Sequence, residues 1–185
     1  HLYITSISEY GEFLAIACAP LSGIGNSYVF LWDMNATTWN QCIDWGEGVV
    51  QVIEQVEGKL IGISYVSSLL ENAKIVFRQY AGNIATTFLT LRSQTVYTSG
   101  DISAGSCNLR QAKQKINNYL YFLMSIKLND TVQSGLWKIG RETPDKPFAL
   151  SFDRAVVNDT ALTATAILYN FFIYQDYVFI SYQTG

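Results

Sequence analysis

The chain has 185 residues, of which 49% are apolar and only 15% charged, with a formal net charge of −3. That composition excludes disorder and leaves ample apolar material for a core, while the lack of a basic excess argues against a nucleic-acid partner. No apolar stretch reaches the roughly 18 residues of a membrane-spanning helix, and His1, the only histidine, leaves no material for a histidine triad or a histidine-rich metal site.

Along the chain, Tyr, Phe, Val, Ile and Thr dominate, with Gly, Asn and Ser at the breaks. These are strand formers and turn formers. No segment sustains a helical period. The nearest candidate, "NLRQAKQKINN" (Asn108–Asn118), lacks an apolar stripe. The reading is therefore all-β.

Four segments align beneath each other: "EYGEFLAIACA", "QVEGKLIGISY", "KINNYLYFLMS" and "IYQDYVFISYQ". Each is a polar or Gly/Asn turn followed by an apolar strand, anchored at Leu14, Leu60, Leu120 and Val178. A next strand follows 16 positions on, at Phe30, Val76 and Leu136. Further strands reach Trp39, Phe88 and Phe148. A preceding strand sits seven positions before the anchor, at Ile7, Ile53 and Phe171, and Lys113 interrupts it in the third unit. Such repeats predict a partial β-propeller of four-stranded antiparallel blades, about three and a half of them within one segment, 1–185. The blades fall at approximately 3–46, 49–92, 108–154 and, incomplete, 161–185. The alternative is a β-sandwich. Apolar residues in both registers of "FLAIACA" and "YLYFLMSI" predict inner strands covered on both faces. In the rim strand "TTWNQCIDW", Trp39, Ile43 and Trp45 are placed on one face with Gln41, and Asn40 and Asp44 on the other. In "FALSFD", Phe148, Leu150 and Phe152 share a face.

The loops between second and third strands are predicted to share one end of the blades with the blade-to-blade links. They are Pro20–Asn26, Val66–Asn72 and Lys127–Gln133, together with the link Arg92–Asn108. A loop-borne binding site would lie there. Asp33, Asn35 and Thr37 have half the spacing of a calcium loop but lack its glycine and distal glutamate, so a hairpin turn packed by Trp32 and Trp39 is the better reading. Glu9 and Glu54 end first strands, but no second motif marks them as an acid–base pair. The catalytic, metal and cofactor sites are read as none, and the binding residues are not defined by any motif. Cys18, Cys42 and Cys107 lack metal spacing and read as free thiols, with a Cys18–Cys42 disulfide as the alternative. Asn35, Asn129 and Asn158 begin Asn-x-Thr sequons.

The phrases "LAIACAPLSGIGNSYVFLWD", "WNQCIDWGEG", "EGKLIGISY" and "GLWKIGRETPDKPFALSFD" resemble propeller-containing structural proteins of tailed bacteriophages. The resemblance lies in strand texture and turn phrases over nearly the whole chain. It implies a non-enzymatic virion component for assembly or host-surface attachment, with other protein chains, or the remainder of the same chain, as partners. A glycan-binding or glycan-cleaving propeller is the alternative function, with a host-surface glycan as ligand. Extracellular or cytoplasmic placement is the alternative to the virion. Both ends read as interior points of a longer chain. A partial propeller leaves the sheet faces of its terminal blades apolar and uncovered, so a partner surface is expected over them.

Overall fold

The computed structural model describes residues 1–66, 73–92, 108–128, 131–155 and 167–183. Every regular element among them is a β-strand. The strands form four antiparallel sheets, each built from strands consecutive in sequence. Sheet I contains β1 (Leu2–Tyr10), β2 (Phe13–Pro20), β3 (Asn26–Asp33) and β4 (Thr38–Glu47). Sheet II contains β5 (Val49–Val56), β6 (Lys59–Val66), β7 (Lys74–Tyr80) and β8 (Ala85–Arg92). Sheet III contains β9 (Asn108–Ile116), β10 (Tyr119–Leu128), β11 (Thr131–Gly140) and β12 (Ala149–Ala155). Sheet IV is the hairpin β13 (Ile167–Tyr174) and β14 (Tyr177–Gln183). The fold is all-β, and its sheets are the blades of a partial propeller-like arrangement. The chain divides into two compact units, His1–Leu91 with sheets I and II, and Arg92–Gly185 with sheets III and IV.

Each unit packs its two sheets in the same way. In the first, β5 lies most extensively against β1, less against β2 and least against β3. In the second, β13 lies mainly against β9 and then β10. Contact that is densest at the first strands and thins outward is the wedge of neighbouring blades. A sandwich would instead match its sheets across their width.

The repeat is more regular than the sequence alignment alone conveys. Three residues before each anchor, a turn residue takes positive φ: Gly11 (60°), Glu57 (47°), Asn117 (52°) and Gln175 (52°). Such a φ reverses the chain within a two-residue hairpin whose twist matches its strands. Seven residues before each anchor, Ile7, Ile53, Lys113 and Phe171 pair with Ile16, Gly62, Phe122 and Ile180. Around nine residues before each anchor the first strand bulges, at Thr5, Gln51 and Tyr169, and across Arg110–Ala112 in the third unit. A bulge sharpens local twist, so each first strand bends at the same height. Lys113 does not end β9: it pairs with Phe122, and pairing with β10 resumes beyond the bulge at Leu109.

The first core joins Ala15, Ala17, Val29, Leu31, Ile43 and Trp45 of sheet I to Val50, Ile53 and Leu60 of sheet II. The second joins Leu123 and Leu136 of sheet III to Leu168 and Phe171 of sheet IV. Side chains also bridge first strands. Ser8 Oγ donates to Glu54 Oε1 at 2.6 Å. Gln114 Nε2 donates to the Ile173 carbonyl at 2.9 Å, and its Oε1 accepts from Ile173 N–H at 2.8 Å.

Two expectations change. β10 is buried in both registers, with Leu120, Phe122, Leu123 and Ile126 all fully covered. β2 is not: Ala15, Ala17 and Ala19 are covered, but Leu14 and Ile16 on its other face are only half-buried. In β4, Ile43 and Trp45 are buried as expected, yet Trp39 does not share their face. Leu31 pairs with Gln41 and Trp32 with Trp39, so Asn40 is an extra residue that turns Trp39 over. Trp39 is 60% exposed and meets Trp32 edge-on at 4.9 Å.

Candidate functional site

At the loop end of the first blade the expected geometry holds. The Gly48 N–H of the blade link donates to the Gly25 carbonyl of the Pro20–Asn26 loop at 3.0 Å. Leu21 and Ile24 at the tip of that loop are exposed. Most of Val66–Asn72 and of Arg92–Asn108, and the middle of Lys127–Gln133, lie outside the described residues.

Asp33 and Glu54 hold parts of the fold. Asp33 Oδ1 accepts the Asn35 and Ala36 N–H groups at 2.9 and 2.8 Å, an Asx-type turn rather than half of a cation loop. Glu54 accepts from Ser8 and from the Gln55 N–H. Glu9 is exposed at the end of β1. Asn35 sits exposed in its turn. Asn129 and Asn158 lie outside the described residues, as does Cys107.

What the sheets bring together is apolar. One face of sheet I packs on sheet II; the opposite face does not. On it, Ile4 is 58% exposed and Leu2 44%. A groove of about 630 Å³ runs over this face, lined by Leu2, Ile4, Ile16, Phe30 and Trp39, with Asn40 and Gln41 at its polar end. No carboxylate lines it. In sheet IV, Phe171, Ile173, Val178 and Ile180 turn toward sheet III. The alternate residues Phe172, Tyr174, Tyr177 and Phe179 are 56–67% exposed. Phe172 and Tyr174 are stacked at 6.4 Å. The exposed face of sheet I was expected as a terminal apolar face. The part of Trp39 in it was missed, and an Asn inside a strand pattern, a weak strand former, was the signal for the bulge that puts it there.

Cys18 and Cys42 also face the groove as free thiols. Cys18 pairs with Tyr28, and Cys42 with Phe30, so β3 runs between them. Two inter-strand spacings, about 9–10 Å, exceed what a disulfide spans; the alternative of a Cys18–Cys42 bond falls on that geometry. Burial raises the Cys18 thiol above its ordinary 9.0, helped by nearby Cys42. Burial raises Cys42 as well, helped by the Asp44 carboxylate. Both therefore stay protonated at neutral pH. Alkylation by iodoacetamide at pH 8 is expected to be slower in the native protein than in urea; equal rates would contradict the shift. Because the unfolded chain releases these protons first, the thiols make stability fall as pH rises past 9.0.

No family model, no curated protein and no solved structure matches this chain.

Proposed function

We propose that this chain is a non-enzymatic interaction module of propeller blades, a structural component of a tailed-phage particle acting in assembly or host-surface attachment. The observation that carries the interaction reading is the uncovered apolar face of sheet I, with Ile4 58% and Trp39 60% exposed over one continuous groove. Soluble monomers rarely leave such a face in water, and contiguous apolar surface marks contact with another macromolecule. The virion assignment rests on the textural resemblance of the strand and turn phrases. Glycan binding is the second reading, favoured by the exposed aromatic side chains of sheet IV, above all Tyr174 and Tyr177.

Mass spectrometry of density-gradient-purified phage particles whose genome encodes the chain tests the first reading. Its peptides are expected in the particle band in amounts comparable with other structural proteins. Their confinement to the soluble lysate would overturn the virion role. On a glycan array, binding that disappears with Tyr177→Ala would replace the first reading with the second.

A further inference from the structure

Resting on that interaction reading, we propose that the partner is a second copy of this chain, joined head to tail. The outer face of sheet I in one copy packs against the outer face of sheet IV in the next. Register identifies the pairing. Sheet II meets sheet I through Val50, Ile53 and Leu60. In the repeat, Val50 corresponds to Ile4, Leu60 to Leu14, Gly62 to Ile16 and Val76 to Phe30. The uncovered face of sheet I is therefore the face that, one blade later, is buried on a preceding blade: Val50 is fully covered where Ile4 is 58% exposed. The same correspondence runs the other way in sheet IV. Phe179 stands where Ala15 stands in sheet I, and Phe172 where Ser8 stands. Ala15 and Ser8 are buried toward the following blade. Phe172, Tyr174, Tyr177 and Phe179 thus occupy the face that receives a following blade, and that face is uncovered.

The two exposed faces are the two halves of the interface that the chain already makes twice within itself, I on II and III on IV. No charged residue lines the groove of sheet I, Glu9 opposite Leu14 and Asp44 opposite Tyr28 lying outside its lining, and the paired strand positions of the sheet IV face carry none. Aliphatic Ile4 and Ile16 against Phe179 and Tyr177 repeats the mixed aliphatic and aromatic character of the III–IV core, on which Tyr121 of sheet III and Ile173, Val178 and Ile180 of sheet IV all pack. Because the two halves differ, the contact is heterologous rather than two-fold.

Sedimentation velocity tests this on the purified chain, with circular dichroism to confirm folding. Wild-type protein is expected to sediment as multiples of the 20.7 kDa chain. Ile4→Glu and Phe179→Glu, both at exposed positions, should each raise the self-association Kd at least about tenfold. An equimolar mixture should recover association, stopping at pairs, because each variant keeps the half that the other lacks. A wild-type chain that stays single at high concentration overturns the proposal. So does a mixture that stays unpaired, or dissociation by Ile4→Glu alone, which would mean self-packing of sheet I. Any of these with the chain still present in phage particles leaves the interaction module standing and removes only the second copy. Self-association with the chain absent from particles does the reverse.

Discussion

Gly62→Val is expected to destabilise the first unit by about 3 kcal/mol, at the upper end of the cost of overpacking a closed core. The reason is one side chain. A Cβ at Gly62 would stand 2.5 Å from Cε2 of Trp45, with the rest of the indole beside it. Trp45 is fully buried at the outer strand of sheet I and sits in a bulge between Asp44 and Gly46. It reaches across the blade interface and lies on the bare backbone of β6. The strand itself does not demand glycine. The equivalent positions in the other sheets hold Ile16, Phe122 and Ile180, each paired in the same register. The requirement comes from Trp45 alone and can therefore be removed with it. Trp45→Ala by itself should cost about 3–5 kcal/mol through lost burial and a cavity. The double variant should cost at least about 1 kcal/mol less than the sum, since valine then enters the vacated space. Trp45→Phe should be milder than Trp45→Ala, because a phenyl ring keeps most of the buried area and losing the indole N–H leaves no acceptor unpaired. Urea unfolding of the four variants beside the wild type measures all of this. Strictly additive losses would show that the indole and Gly62 do not share one space.

The sequence made the blades legible because each anchor strand is set by two things that a linear reading captures. One is an apolar run in both registers. The other is a turn at a fixed distance before it. Sheets I, II and III run Leu2–Glu47, Val49–Arg92 and Asn108–Ala155. Bulges were not legible. An extra residue reverses the alternation of its strand without marking where it does so, and with only the weak strand former Asn40 as a local sign, Trp39 was assigned to the wrong face. Asn108–Asn118 was the least convincing strand, since Arg110, Lys113 and Lys115 give it no apolar alternation. It forms β9 because β10 supplies the hydrogen-bond ladder, a tertiary effect that local propensity does not carry. The apolar faces of the terminal sheets were legible as a consequence of repetition. Which residues would be most exposed on them was not, since that depends on the twist that the bulges impose.

Arg78→Met is expected to cost about 2–3 kcal/mol, and the loss should survive high salt. Arg78 projects from β7 and is only 8% exposed. Its Nη1 donates to Ser64 Oγ at 3.2 Å and its Nη2 to the Glu47 carbonyl at 3.1 Å, tying sheet II to the end of β4. Burial lowers its pKa, and the carboxylates of Glu47 and Asp44 push the other way. Two kinds of energy could hold it there, and their magnitudes separate them. Glu47 is largely exposed, also reaching Lys74 at 3.5 Å, so its charge is screened and worth at most about 1 kcal/mol. Hydrogen bonds from a buried cation are worth about 1.5–3 kcal/mol. The larger share therefore lies in the two short-range bonds and in the seat of the guanidinium against Gly46, where an added Cβ would stand 3.1 Å from Cζ. Gly46 also has φ +81°, so backbone and neighbour both favour glycine there. Methionine keeps the stem of the side chain and removes the donors. Arg78→Lys should recover little, since an ammonium does not reproduce the planar fork that reaches both acceptors. Urea midpoints compared at low salt and at about 1 M salt, where screening acts over roughly 3 Å, separate the two accounts. A loss that disappears at high salt would make Arg78 an ion-pair residue rather than the hydrogen-bonded clamp between adjacent blades.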